Sequence, residues 1–169
     1  MDKILIIVRH AQAREAERMQ KDVERSLTEE GIGDASLIGR YLYNQNVTVD
    51  RILSSVAVRA KETAELIAEQ LKYDTSRIQY DAEIYDGSVR SLLQMINNFN
   101  PAWNKAMIVG HNPSVTYLAE YLTKTAIGSI APGGYAFLKI GTSWDLASEG
   151  TCCLDYYQYP EQVRRIMQI

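Results

Sequence analysis

The chain contains two histidines, His10 and His111, and each follows closely on an apolar run. Arg9 and His10 come directly after Ile4–Val8, and Gly110, His111 and Asn112 come after Ala106–Val109. After the shorter run Ile52-Leu53 come Ser54 and Ser55, with Arg59 one helical turn further on. If these runs are strands of an open α/β sheet, their carboxyl ends form the rim at which such sheets bind ligands. An isolated histidine is ordinarily a packing or surface residue. Two on one rim, beside two arginines, point to chemistry. Arginine holds a phosphoryl group through paired, charge-assisted hydrogen bonds. A neutral imidazole is a competent nucleophile near pH 7, and a second, protonated imidazole stabilises charge on the equatorial oxygens. These parts fit phosphoryl transfer through a covalent phosphohistidine, with no metal and no cofactor required. Asn112-Pro113 reads as the cap and first residue of a helix whose positive end adds to the pocket. No Gly-x-Ser-x-Gly elbow and no phosphate-binding Gly-x-x-x-x-Gly-Lys-Ser/Thr loop is present. The adjacent Cys152 and Cys153 would point to opposite faces of a strand, which excludes a zinc finger or a disulfide scaffold.

The elements that must position these groups follow from periodicity. Ile4–Val8 is a continuous β-branched run, as in a strand buried on both faces. Thr28 caps a helix in which Ile32, Ala35, Ile38 and Leu42 recur at helical spacing. Arg51–Ser54 is a second strand, Val56–Leu71 a helix with Ala60, Ala64, Ile67 and Leu71 on one side, and Ile78–Tyr80 a weaker strand. Asp86-Gly87-Ser88 turns into a helix through Leu92, Leu93 and Ile96, which ends before Asn100-Pro101. Ala106–Val109 is a further buried strand, followed by a helix carrying Val115, Leu118, Ala119 and Leu122. Tyr135–Ile140 and Thr151–Tyr157 read as a late antiparallel pair. The sum is a three-layer α/β/α domain with a mostly parallel central sheet and an antiparallel addition near the C-terminus.

The 169 residues carry 18 Lys+Arg against 21 Asp+Glu, a net charge of −3. That length suits one domain over residues 1–169, able to bury roughly 70% of its unfolded surface without a staple. The slightly acidic balance gives no electrostatic case for binding nucleic acid, and the eleven tyrosines have no basic patch beside them. Ile4–Val8 is too short to span a bilayer, and no signal-peptide pattern precedes it, so the expected location is the cytoplasm with no membrane partner. Arg164-Arg165 suits a solvated end and a dimer contact equally, so the sequence sets no oligomeric state.

Four segments in order resemble the signature of the histidine phosphatase superfamily, also called phosphoglycerate-mutase-like. Val8-Arg9-His10-Ala11 is similar to its Arg-His-Gly/Ala motif, and Arg25-Ser26-Leu27-Thr28-Glu29-Glu30-Gly31 to its Arg-x-Leu-Thr-x-x-Gly segment. Ser55-Val56-Ala57-Val58-Arg59-Ala60-Lys61-Glu62-Thr63 resembles Ser-Pro-x-x-Arg-Ala-x-Gln-Thr, and Val109-Gly110-His111-Asn112-Pro113 resembles Val-Gly-His-Asn/Gln-Pro. The short run from Arg9-His10 to Gly31 looks like the SixA branch, whose members act on phosphohistidine in signalling proteins. The resemblance implies His10 as nucleophile, Arg9, Arg59 and His111 as the rest of the phosphate pocket, and Arg25 as a rim contact or a solvated residue. Larger members place a carboxylate acid after the third strand, and Glu83 matches that position best. Three departures stand out. Val56 replaces proline, which should loosen the turn before Arg59. Glu62 replaces glutamine, on what reads as the outer helix face. Gln12 stands where a charged residue is more common. The partner implied is a phosphorylated protein or a small phosphorylated compound. Three alternatives stay open: a phosphatase of small phosphomonoesters, a phosphoglycerate mutase and a non-catalytic phosphate-binding module. The interval Tyr80–Trp103 leaves little chain for the lid a mutase needs.

Overall fold

The computed structural model describes residues 2–169. In chain order the elements are β1 Lys3–Arg9, α1 Glu29–Asn44, β2 Arg51–Ser55, α2 Val58–Gln70, β3 Gln79–Asp81, α3 Ala82–Asp86, α4 Val89–Asn97, β4 Lys105–Gly110, α5 Ser114–Thr123, β5 Tyr135–Ile140, β6 Cys152–Gln158 and α6 Pro160–Met167. They build one six-stranded sheet in the order β3-β2-β4-β1-β5-β6. The first four strands in that order run parallel, and β5 and β6 are antiparallel additions. This is the α/β/α architecture expected from the sequence.

The central strand explains the three layers. Leu5, Ile6, Ile7 and Val8 are all fully buried. Alternation along a strand sends Leu5 and Ile7 to one face and Ile6 and Val8 to the other. Leu5 and Ile7 pack with Leu92 and Ile96 of α4, Val115, Leu118 and Leu122 of α5, and Trp144. Ile6 and Val8 pack with Leu37, Ile38 and Leu42 of α1, Ala64 and Ile67 of α2, and Val163 of α6. Cys152 is buried and Cys153 exposed, as opposite strand faces require.

Several boundaries differ from the sequence expectation. Ile32 is 43% exposed, and the buried stripe of α1 runs instead through Gly31, Asp34, Ala35, Ile38 and Leu42. Gly31 sits where a Cβ would lie 2.2 Å from the Gln12 carbonyl oxygen, so the closing glycine of the Leu-Thr-x-x-Gly segment is required by a close backbone approach. Helix α2 begins at Val58 rather than Val56. Asn112 does not cap α5. The Asn112-Pro113 peptide is cis, the helix starts at Ser114, and the Asn112 Oδ1 accepts the Thr116 hydroxyl at 2.6 Å. Helices α3 and α6, with five and eight residues, are too short for the periodicity that marks the other helices. No helix among the described residues is long and apolar enough to cross a membrane.

Candidate active site

Strand register brings the two histidines together. In the parallel β1/β4 pair Arg9 lies opposite Gly110, so the next residue of each strand emerges at the same level. The His10 N–H donates to the Gly110 carbonyl at 3.0 Å, and the imidazole centroids are 5.1 Å apart. The turn into β5 closes this end: the Gly133 N–H reaches the Arg9 and His10 carbonyls, at φ +75°, a conformation glycine takes without strain.

His10 Nδ1 lies 2.7 Å from the Ala11 carbonyl oxygen. A carbonyl only accepts, so Nδ1 carries the proton and the lone pair of the neutral ring is on Nε2. Burial pushes the His10 pKa down to about 4, opposed by the Ala11 bond and aided by the charges of Arg59, Arg9 and Arg25. The ring is therefore a neutral base or nucleophile at pH 7. His111 is only 9% exposed. Burial first, then the neighbouring His10 and Arg59, lower its pKa to about 3. The second imidazole is thus neutral, not protonated as the sequence suggested, because a dry setting and the nearby His10, Arg59 and Arg9 disfavour another cation there. Its Nε2 lies 2.7 Å from the Ser55 hydroxyl, and its Nδ1 is buried without a partner in the protein.

The arginines converge on the same place. Arg59 sits in the first turn of α2 and is only 6% exposed. Its carbonyl accepts the Thr63 hydroxyl, which in turn accepts the Ala11 N–H, so β1's exit loop and α2 are tied. Arg9 donates through Nη1 to the Ile130 carbonyl. The Nε atoms of both Arg9 and Arg59 are buried and unpartnered. Such donors suit an anion.

Asp22 links the remaining groups, a role that no pattern in the sequence marks. Its carboxylate accepts from Arg25 at 2.9 Å, from Arg59 at 3.0 Å and from the Tyr85 hydroxyl at 2.7 Å, and its carbonyl accepts from Arg59 at 2.8 Å. The Tyr85 and guanidinium bonds hold this carboxyl well below the ordinary range, and the same contact pushes the Tyr85 phenol up. Tyr85 stands edge-on to His111 with centroids 5.5 Å apart. Arg25 thereby joins the rim through Asp22 rather than as a free solvated residue.

Glu83 is not brought to this cluster. It forms no hydrogen bond or ion pair with His10, Arg9, Arg59 or His111, and lines a separate open cavity with Gln79, Gln94 and Asn98. Two residues along a helix turn by about 200°, so on α3 Tyr85 faces the histidines and Glu83 faces away.

Of the sequence departures, Val56 does not leave the turn loose. The Ser55 hydroxyl accepts the Ala57 N–H at 3.1 Å and fastens it. Glu62 is not on an outer face: its carboxylate accepts the Leu27 N–H at 2.7 Å and pins the loop that carries Asp22 and Arg25. Gln12 accepts from the Thr28 hydroxyl at 2.7 Å, anchoring the same loop at its other end. Among the described residues no group of three or more His, Cys, Asp or Glu side chains is arranged to hold a metal ion.

Known proteins share this architecture. A SixA protein of Nakamurella multipartitia superposes with a TM-score of 0.82 at 23% identity, covering 95% of this chain and 97% of that one. The protein histidine phosphatase SixA complexed with tungstate gives 0.82 at 22%, covering 93% and 97%. In sequence, the mitochondrial serine/threonine-protein phosphatase Pgam5 of Drosophila ananassae is 32% identical over 74 residues, 44% of this chain. The chain spans only 25% of the length of that relative. An uncharacterized protein of Mycobacterium tuberculosis is 25% identical over 149 residues, covering 82% of this chain and 91% of its own length. The model of the histidine phosphatase superfamily, branch 1, matches residues 5–106. That match takes in more than half of the chain and three of the four signature segments, so this protein belongs to the histidine phosphatase superfamily.

Proposed function

We propose that this protein is a phosphatase that works through a phosphohistidine intermediate on His10 and removes the phosphoryl group from phosphohistidine in signalling proteins. The observation that carries the reading is the His10 ring: neutral, with Nδ1 committed to the Ala11 carbonyl and Nε2 free, beside the unpartnered Nε donors of Arg9 and Arg59 and the unpartnered Nδ1 of His111. Arg9, Arg59 and His111 seat the phosphoryl group, with Arg25 at the rim. Nε2 of His10 attacks phosphorus in line, a new N–P bond forms, and the N–P bond to the substrate imidazole breaks. The departing imidazole nitrogen takes its proton from solvent. Water then attacks phospho-His10, the second N–P bond breaks, and inorganic phosphate leaves. The net reaction consumes one water and needs no metal and no cofactor.

The preference for phosphohistidine rests on the acid. Asp22 is held deprotonated by Tyr85, Arg25 and Arg59, and Glu83 lies in another cavity. An alkoxide leaving group wants a proton in the transition state, worth about 10²–10⁴ in rate. Imidazole is a better leaving group and wants it less. The SixA likeness agrees with this choice, and the Pgam5 likeness agrees with a phosphorylated protein as substrate.

The test is a substrate panel of a phosphohistidine protein, a phosphoserine peptide and sugar phosphates, with wild type and His10→Ala. Phosphohistidine should turn over fastest, and His10→Ala should abolish all turnover. Wild-type turnover by His10→Ala would sink the covalent route. Faster sugar-phosphate hydrolysis would move the substrate to small esters.

A further inference from the structure

Ser55 is fully buried at the end of β2 and has two polar neighbours. Its oxygen accepts the Ala57 N–H at 3.1 Å, and it lies 2.7 Å from Nε2 of His111. Among the described residues the imidazole nitrogen is the one hydrogen-bond acceptor found for the serine proton. Two arrangements of the neutral ring are conceivable. With the proton on Nε2, His111 would donate to Ser55. The serine proton would then have no acceptor, and a bare lone pair on Nδ1 would be buried without a donor. With the proton on Nδ1, the serine proton goes to Nε2 and both hydroxyl functions are used. One N–H then remains on Nδ1, buried and unpartnered within the protein. Buried donors and acceptors are almost always satisfied, so the second arrangement wins unless a ligand supplies what the first lacks. A phosphoryl oxygen supplies only acceptors, which again selects the second.

We propose that Ser55 is a positioning residue: by donating its hydroxyl proton to Nε2 it fixes His111 as the Nδ1–H tautomer, whose free N–H hydrogen-bonds a phosphoryl oxygen carried by His10. The His10 and His111 rings, 5.1 Å apart, are close enough for a phosphoryl group on one to touch the other. The last clause rests on the phosphatase reading; the tautomer itself is a property of the ligand-free protein. Ser55 thus does two things with one oxygen. It closes the turn that presents Arg59, and it sets which face of His111 offers a proton.

The composition makes the test clean, because a protein labelled with 15N-histidine carries two imidazoles and His10→Gln leaves His111 alone. Nitrogen-15 spectra at neutral pH should show His111 Nδ1 protonated and Nε2 bare. Ser55→Ala should move the proton toward Nε2, and Ser55→Thr, which keeps the hydroxyl, should restore the wild-type pattern. Affinity for inorganic phosphate should fall about tenfold in Ser55→Ala, the loss of one hydrogen bond to a charged group, and should not fall further when Ser55→Ala is added to His111→Ala. The proposal is overturned if the wild-type spectrum places the proton on Nε2. It is also overturned if Ser55→Ala costs as much phosphate affinity without His111 as with it, since Ser55 would then act only through the Arg59 turn. If Ser55→Ala does not fold, the wild-type and His10→Gln spectra still decide. The expected tautomer in a protein that hydrolyses nothing would overturn the phosphatase reading and keep the Ser55–His111 assignment. Turnover with Nε2 protonated would do the reverse.

Discussion

Acidification should destabilise this protein through its two histidines before the carboxylates matter, by an amount that follows from the two rings. An unfolded histidine titrates near 6.5. In the folded protein His10 is pushed down to about 4 and His111 to about 3. Between about pH 8 and pH 5 the folded state therefore keeps both rings neutral while the unfolded state takes up two protons. Stability rises with pH wherever the unfolded state binds more protons, so it falls as pH is lowered through this window. At about pH 5 each unfolded ring is about 1.5 units below its pKa, which at 1.36 kcal/mol per unit gives about 2 kcal/mol per ring and about 4 kcal/mol for both. The two contributions add here because neither folded ring is charged, so no mutual repulsion enters. The assay is urea unfolding at about pH 8 and pH 5, on wild type and on the doubly substituted His10→Gln, His111→Gln protein. Wild type should lose about 4 kcal/mol more than the variant across that interval. The chain has no other histidine, so equal losses in the two proteins would refute the assignment of both rings as buried and neutral.

Asp22→Asn removes the charge that Arg25 and Arg59 share, and should lower kcat/KM about tenfold as Arg59 loses its orientation; a rise in steady-state assays would instead mark Asp22 as a competitor for the phosphate. Glu62→Ala leaves the Leu27 N–H without its acceptor and should cost about 1–3 kcal/mol in thermal unfolding, whereas Glu62→Gln keeps an oxygen there and should stay near wild type. Across aryl and alkyl phosphates, hydrolysis rates should drop steeply as the leaving group becomes more basic, and a flat dependence would reveal a general acid that Asp22 and Glu83 do not supply.

The rim was legible because it depends on strand ends. Continuous apolar runs mark buried parallel strands, and whatever follows them must emerge at the carboxyl edge, so His10, His111 and Arg59 could be placed together without knowing register. Contacts made by the loop between β1 and α1 could not be read the same way. Asp22 stands among exposed, charged residues with no periodicity, and its partners Arg59 and Tyr85 are 37 and 63 positions away. Helix α3 has only five residues, too short for a hydrophobic pattern, and without it nothing decides whether residue 83 or residue 85 faces the site. Glu62 misled for a related reason. Its position on α2 is outward relative to the sheet, but the loop folds over that face and makes it an acceptor. Asn112 reads as a helix cap, but its side-chain amide is committed to the Thr116 hydroxyl and the Ile130 carbonyl instead.

The arrangement also says how the site manages its charge. Three guanidinium groups gather around two imidazoles, and Asp22 is the only carboxylate hydrogen-bonded into the cluster among the described residues. Protonating either histidine would add a fourth cation to a dry pocket, which is why both titrate so low. A phosphoryl dianion would reverse that balance: it would supply acceptors for the orphaned Nε atoms of Arg9 and Arg59 and offset the positive charge that adds to burial in disfavouring protonation of the rings. Burial keeps the His10 ring unprotonated, and the charges of Arg59, Arg9 and Arg25 reinforce it. The Ala11 carbonyl leaves Nε2 of His10 free, and the neutral ring and the orphaned Nε donors beside it are two consequences of burying these groups together at the ends of β1 and β2.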